Sequence, residues 1–291
     1  MNIEGIRERR QHLVDLYGPW SSHNIQLVDD CYTISADDVS YETKMVRSMQ
    51  WIRDISGRPL ECLRVLDLAC LEGMWAIELA SHGATVVGIE GREANIAKAR
   101  LARDVHGLDN LELIKDDVRN LSVERHGLFD VVLCMGILYH LDAPDIFEFV
   151  SAISSVCKRL AIIDTHVSLA PKEPRTYMGH TYWGRVYTEF SVRSTTQEKE
   201  SAVWSSLDNI QSFWLTHASL NNLLARVGFS SVCQGLIPYL RSMQSDRVEL
   251  VALKGERHRF RVAPQLNSHP SEYLPEEPDR RVDPSQADES L

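Results

Sequence analysis

Between Arg64 and Arg92 the chain reads RVLDLACLEGMWAIELASHGATVVGIEGR, and its apolar positions change period twice. Val65 to Leu68 is a short apolar run, as expected of a strand covered on both faces. Glu72 to Ser81 carries Trp75, Ile77, Leu79 and Ala80 as the apolar surface of a helix, and Val86 to Ile89 predicts a second buried strand. Two carboxylates break the pattern. Asp67 interrupts the first strand near its end and Glu90 closes the second, where burying a charge is costly without a partner. At the intervening turn the small residues Ala69, Cys70 and Gly73 let backbone N–H groups approach a ligand. A carboxylate at the position of Glu90 can accept hydrogen bonds from the two hydroxyls of a ribose. The stretch predicts the first half of a nucleoside-binding β–α–β unit.

The same periodicities extend along the chain. Helical spacing runs from Met1 to about Tyr17 and again over 42–55, ended by Gly57 and Pro59, with a turn and a short alternating segment between. Residues 1–60 are too few for a domain and predict a helical cap over the mouth of the sheet. ANIAKARLARDVHGL predicts a helix ended by Gly107, LELIKDD and Phe129–Cys134 two strands, Asp145 to Lys158 a helix, and Leu160 to Asp164 a strand followed by Thr165 and His166. Strands alternating with helices imply a parallel, doubly wound α/β sheet, with ligands bound beyond the strands' carboxyl ends. Asp67, Glu90, Asp117, Cys134 and His166 all fall at such ends.

From 167 to 212 the period is lost and aromatics mix with Arg, His and Thr, the mark of a functional insertion, here a substrate lid. SFWLTHASLNNLLARVGF predicts a helix capped near Thr216, and SSVCQGLIPYL and RVELVALKG an antiparallel edge. One domain therefore spans 61–255. Residues 256–291 hold five of the eleven prolines among many charges and predict a disordered tail.

A net charge of −10 disfavours a broad electrostatic grip on nucleic acid. No apolar run approaches the ~20 residues of a membrane helix, and the charged N-terminus lacks a signal-peptide core. Six scattered cysteines without a CxxC pair fit reduced thiols in a cytoplasmic protein.

With VLDLACLEG, VVGIEGRE, LIKDDVRNL and FDVVLCMGILYHLDAP in place, the chain resembles the class I S-adenosylmethionine-dependent methyltransferases over roughly Cys62 to Gly255. LACLEG, MGILYHL and DTHV look closer to the subgroup of the tRNA wobble-uridine carboxymethyltransferase and its small-molecule relatives. The resemblance implies a Rossmann-like, mostly parallel sheet with an antiparallel C-terminal edge and a helical lid, and S-adenosyl-L-methionine as cofactor. It implies that Asp67, Ala69, Cys70 and Gly73 face the methionine end, that Glu90 and Gly91 meet the ribose, and that Arg92 flanks the adenine. Asp117 and the Val118 amide would read the adenine edge, and Cys134 and Met135 would line the sulfonium. Ala69 and Leu71 stand where the family more often has glycine.

Methyl transfer asks for in-line placement and a path for the nucleophile's proton. Tyr139, His140 and His166 leave strand ends and are the candidate base or orienting groups. Tyr182 and Trp183 in the insertion could wall the acceptor or face the cation, with His23 and His180 as further substrate candidates. Each also has a structural reading, as a loop cap or a packed, hydrogen-bonded ring. His166 and Asp164 have no third ligand at metal-binding spacing, so no metal is expected. The acceptor expected is a small molecule, methylated on oxygen or nitrogen. The competing readings are an RNA-modifying methyltransferase, a non-catalytic nucleoside-binding module and, remotely, an NAD-dependent dehydrogenase, although GxGxxG is absent.

Overall fold

The structure, a computed structural model, describes residues 2–39, 42–235 and 246–269. The chain opens with helix α1 (Ile3–Tyr17), the small hairpin β1 (Gln26–Val28) and β2 (Cys31–Tyr32), and α2 (Glu42–Ser56). There follow β3 (Arg64–Leu68), α3 (Met74–Ser81), β4 (Thr85–Glu90), α4 (Glu93–His106), β5 (Leu111–Lys115), α5 (Val123–His126), β6 (Phe129–Met135), α6 (Asp145–Val156) and β7 (Cys157–His166). The insertion holds β8 (Glu173–Tyr177), β9 (His180–Thr188), α7 (Thr196–Ser201) and β10 (Gln211–Leu215). After it come α8 (His217–Arg226), β11 (Ser231–Gly235) and β12 (Arg247–Leu253).

Seven strands form the main sheet in the order β11-β12-β7-β6-β3-β4-β5. β3, β4, β5, β6 and β7 run parallel, and β12 pairs antiparallel with both β7 and β11. The reversed strand therefore lies inside the sheet and β11 forms its edge. Alternate residues serve opposite faces, as strand geometry requires. Leu66, Leu68, Val132 and Cys134 join the core beneath α6 and α8, whereas Val65, Val131 and Leu133 join the one beneath α1, α2, α3 and α4. Local signals set the ends: Asn2 caps α1 by accepting from Gly5 N, α4 stops at left-handed Gly107, and Thr216 caps α8 through Ser219 N.

The insertion, read from its lost period as a substrate lid, is built mainly of strands. β8, β9 and β10 form a second, antiparallel sheet, and α7 is the one helix between 167 and 212. Tyr182 and Val186 of β9 face the core with Gly184 between them, and Gly184 leaves room for the Phe213 ring, so the alternation is hidden by a missing side chain. SFWL is strand β10, and the helix begins at His217, directly after its cap Thr216. The predicted tail is described only to His269, where Pro264–Ser268 form a 3-10 turn; the rest of it, and the predicted strand residues 236–241, lie outside the described residues. No helix among the described residues is long and apolar enough to cross a membrane.

Candidate active site

A cavity of about 610 Å³ opens beyond the carboxyl ends of β3, β4, β6 and β7, within the ~300–1,000 Å³ that encloses a small organic ligand. It sits where the chain order reverses, with β4 leaving β3 to one side and β6 to the other. Asp67, Ala69, Cys70, Glu90, Gly91, Arg92, Val118, Met135, Tyr139, His140 and His23 line it.

The turn after β3 is held open by its own backbone. Ala69 and Leu71 both lie in the left-handed region, at φ 53° and 50°, which explains why glycine suits those positions. Glu90, buried at the end of β4, grips this turn. Its carboxylate accepts from Leu71 N at 3.0 Å, Arg92 N at 2.8 Å and Asn95 Nδ2 at 3.3 Å. Burial pushes the Glu90 carboxyl up against the pull of these donors. Asp67 is raised to about 7, mainly by burial and with a smaller push from Glu90, while the Ala76 backbone N–H works the other way. Nearby, Glu72 receives Ser21, Ser22 and His23 backbone N–H groups and Lys98 Nζ, and so fastens the N-terminal segment to the wall. His23 Nδ1 accepts from Met74 N at the start of α3, and burial lowers its pKa to about 3, so the ring is neutral.

The insertion closes over this part of the cavity. Arg92 Nη2 shares its two N–H groups among the carbonyl oxygens of Lys199, Ala202, Ser205 and Ser206, at 3.3, 3.1, 3.0 and 2.8 Å. Leu207 packs so tightly on Gly91 that a Cβ there would lie 2.5 Å from Leu207 Cδ1. Arg92 thus clamps the lid, whatever else it meets. Asp117 serves a similar end: Arg119 pairs with it and with Asp208 of the lid, and Asp117 does not line the cavity although Val118 does.

Tyr139 and His140 follow β6. His140 Nδ1 lies 3.0 Å from Glu189 Oε1, and Glu189 also accepts from Ser206 N and Ser212 Oγ. His166 stands behind the wall: its Nδ1 meets Asp246 at 2.9 Å, its Nε2 meets Arg247 Nη1 at 3.2 Å, and Trp214 stacks on it. Arg247 lines the cavity, with its guanidinium carbon 5.5 Å from the Tyr139 ring centroid.

Several candidate residues fall outside the cavity. Cys134 is a buried core thiol with a strongly raised pKa, and Gly73 caps α3 against Ala99. Tyr182 packs on Phe147 in the core, Trp183 is half-buried on β9 and His180 is exposed at its start. Conversely, Lys44, Asn95, Asp164, Arg247 and Glu249 line it without having been singled out for this role. Glu249 carried the same signal as Asp67, an acid inside the apolar run VELVAL; Lys44 in the middle of ETKMVRS carried none. Among the described residues no group of three His, Cys, Asp or Glu side chains is arranged to hold a metal ion.

Two polar atoms of the cavity wall, Ser22 Oγ and Asn95 Oδ1, are buried without a hydrogen-bond partner among the described residues. Buried polar atoms are seldom left so. Together with the Glu90 carboxylate and the open turn they suit a ligand rich in hydroxyl and amine groups, as S-adenosylmethionine is.

Residues 65–159 match the family model described as a methyltransferase domain. The ubiquinone biosynthesis O-methyltransferase of Acinetobacter baumannii (strain AYE) is 32% identical over 132 residues, covering 45% of this chain and 53% of that protein. Its counterpart from Bordetella avium (strain 197N) is 35% identical over 100 residues, covering 33% and 39%. The chain spans about half the length, or less, of these curated relatives. In three dimensions it resembles the N-terminal domain of EvdMO1 crystallised with SAH and D-fucose, at 24% identity and TM-score 0.66, covering 88% of this chain and 98% of that one. The magnesium protoporphyrin IX methyltransferase of Synechocystis PCC 6803 with bound SAH follows at 20% identity and TM-score 0.51, covering 87% and 96%. Over residues 65–159, then, the chain is similar to methyltransferase domains in sequence, and over most of its length it has the Rossmann-like fold of proteins crystallised with S-adenosylhomocysteine.

Proposed function

We propose that the chain transfers a methyl group from S-adenosylmethionine to an oxygen or nitrogen of a small molecule, a specialised metabolite, in the cytoplasm. The observation that carries this reading is the buried Glu90 carboxylate at the mouth of the open β3 turn, inside a domain similar to methyltransferase domains. The finer likeness to the wobble-uridine subgroup rests on LACLEG, MGILYHL and DTHV, and each of the three contributes at least one residue to the cavity wall. Six free cysteines support a reducing compartment.

When bound, the cofactor supplies an electrophilic methyl on a sulfonium. The protein's own work is then to bind, orient and exclude water. Glu90 and Asn95 would hold the ribose, Ser22 would meet the amino-acid end, and Trp204 and Leu207 of the lid would cover the adenine. His140 is the base. With its Nδ1–H donated to Glu189, its Nε2 keeps a lone pair and has no hydrogen-bond partner among the described residues. As the acceptor's oxygen or nitrogen gains the methyl, its proton passes to that nitrogen. Tyr139, pinned by Arg247, orients the acceptor.

Incubation with methyl-labelled S-adenosylmethionine and a library of hydroxylated and amino metabolites tests the reading by mass spectrometry. Label appearing on any small acceptor supports it; label on bulk tRNA alone would replace it with RNA modification, and none on either would favour a binding module.

A further inference from the structure

A second part of the cavity wall carries four charged side chains from three elements: Lys44 of α2, Asp164 of β7, and Arg247 and Glu249 of β12. Glu249 stands opposite Asp164 in the antiparallel β7–β12 register, so the two carboxyls leave the same face of the sheet as close neighbours. Asp164 is satisfied. Arg247 Nε donates to one of its oxygens at 2.6 Å and Lys44 Nζ to the other, and these two cations hold its pKa below the usual carboxylate range despite burial.

Glu249 is buried as deeply, at 3% exposure, but is not satisfied. Ser48 Oγ lies 3.5 Å from its Oε1, and its Oε2 has no hydrogen-bond partner among the described residues. A buried carboxyl oxygen without a partner, in the wall of a cavity, is a place for a ligand to complete the bond. Burial beside Asp164 lifts the Glu249 carboxyl to about 7, against the pull of Lys44 and Arg247. Two cations therefore share one firmly ionised carboxylate, and Lys44 has given only one of its three N–H donors to it.

The geometry points to an anionic acceptor: Lys44, Arg247 and Glu249 form a subsite for a carboxylate, or an equivalent acidic oxyanion, on the molecule to be methylated. This deepens the methyl-transfer reading and rests on it. The anion accepts from the ammonium and the guanidinium, and protonated Glu249 donates through its free oxygen. Among the described residues, the groups facing Glu249 are Lys44 and Ser48 from α2, Asp164 from β7, Arg247 from β12 and the uncharged Gly235 of β11. Above neutrality Glu249 becomes a second anion and opposes the ligand, so affinity for an acid falls as pH rises.

The test uses matched pairs of aromatic hydroxy acids and their methyl esters, such as 3,4-dihydroxybenzoate and its ester, titrated into S-adenosylhomocysteine-loaded protein at pH 6 and pH 8. Acids are expected to bind at least roughly tenfold more tightly than esters to the wild type at pH 6, and to lose most of that preference in Lys44→Met. Wild-type affinity for the acids drops at pH 8, whereas Glu249→Gln, which cannot ionise, keeps its pH 6 value. Unchanged S-adenosylhomocysteine binding in both variants separates this result from failure to fold. Loss of cofactor binding by the wild type itself would instead sink the methyl-transfer reading. Esters binding as well as acids, neither binding, or acid binding indifferent to Lys44→Met would overturn the subsite.

Discussion

His140 Nδ1 lies 3.0 Å from Glu189 Oε1, joining the loop after β6 to the end of the inserted sheet. Glu189 is itself fixed by Ser206 N and Ser212 Oγ at 3.0 and 2.9 Å. The carboxylate therefore sets which ring nitrogen carries the proton and holds the ring against the cavity wall. His140→Ala is expected to lower kcat by about 10²–10⁴-fold with little change in S-adenosylhomocysteine affinity. Glu189→Gln, which keeps the packing but loses the charge, should lose a smaller part of the rate. Single-turnover kinetics check both, and an unchanged kcat in His140→Ala contradicts the base assignment.

The four carbonyls gathered by Arg92 predict that the lid depends on one guanidinium. Arg92→Ala removes charge-assisted hydrogen bonds that contribute on the order of 1.5–3 kcal/mol in all. Amide hydrogen exchange over 199–207 should then accelerate while the strands of the main sheet stay protected. Equal protection in variant and wild type would mean the lid is held by other contacts, Arg119 with Asp208 being the first to examine.

How far the sequence reached follows from what each residue had to do. β3, β4 and β6 are apolar on both faces because helices cover both, so their runs are continuous and readable. The carboxyls of Asp67 and Glu90 stood out against that background for the same reason. The inserted sheet was unreadable as a sheet because Gly184 sits where an apolar side chain would mark the alternation. Glu189, Lys44 and Arg247 act through partners 17 to 120 residues distant, such as Ser206 and Asp164, and no local pattern encodes those meetings.

Ala69, at φ 53°, predicts a stabilising substitution. A side chain in the left-handed region costs roughly 1–2 kcal/mol, partly offset by the greater freedom glycine brings to the unfolded chain. Ala69→Gly should therefore leave the protein more stable by about 0.5–1 kcal/mol in urea melts. A lower midpoint would show that the Ala69 methyl contributes more packing than its backbone costs.

Stability should also depend on pH through Asp67. Its folded pKa, raised from 3.8 to about 7, means the folded state binds the extra proton between those values. Stability from this group is thus fully present below about pH 4 and is lost as pH rises towards 7. Asp164 acts in the opposite sense: its depressed pKa adds stability above 3.8 that is lost on acidification. Asp67→Asn, which stays neutral, should raise the melting temperature of the ligand-free protein at pH 8 and flatten its decline between pH 5 and 8. A variant that melts lower than wild type at pH 8 would show that the Asp67 charge is compensated in the folded state.

Whether the turn after β3, gripped by Glu90, binds S-adenosylmethionine is read by calorimetric titration of S-adenosylhomocysteine into wild type and Glu90→Ala. Saturable binding to the wild type is expected, weakened at least roughly tenfold in Glu90→Ala, a loss of about 1.4 kcal/mol or more. Absence of binding to the wild type, or an unaltered affinity in Glu90→Ala, would contradict it.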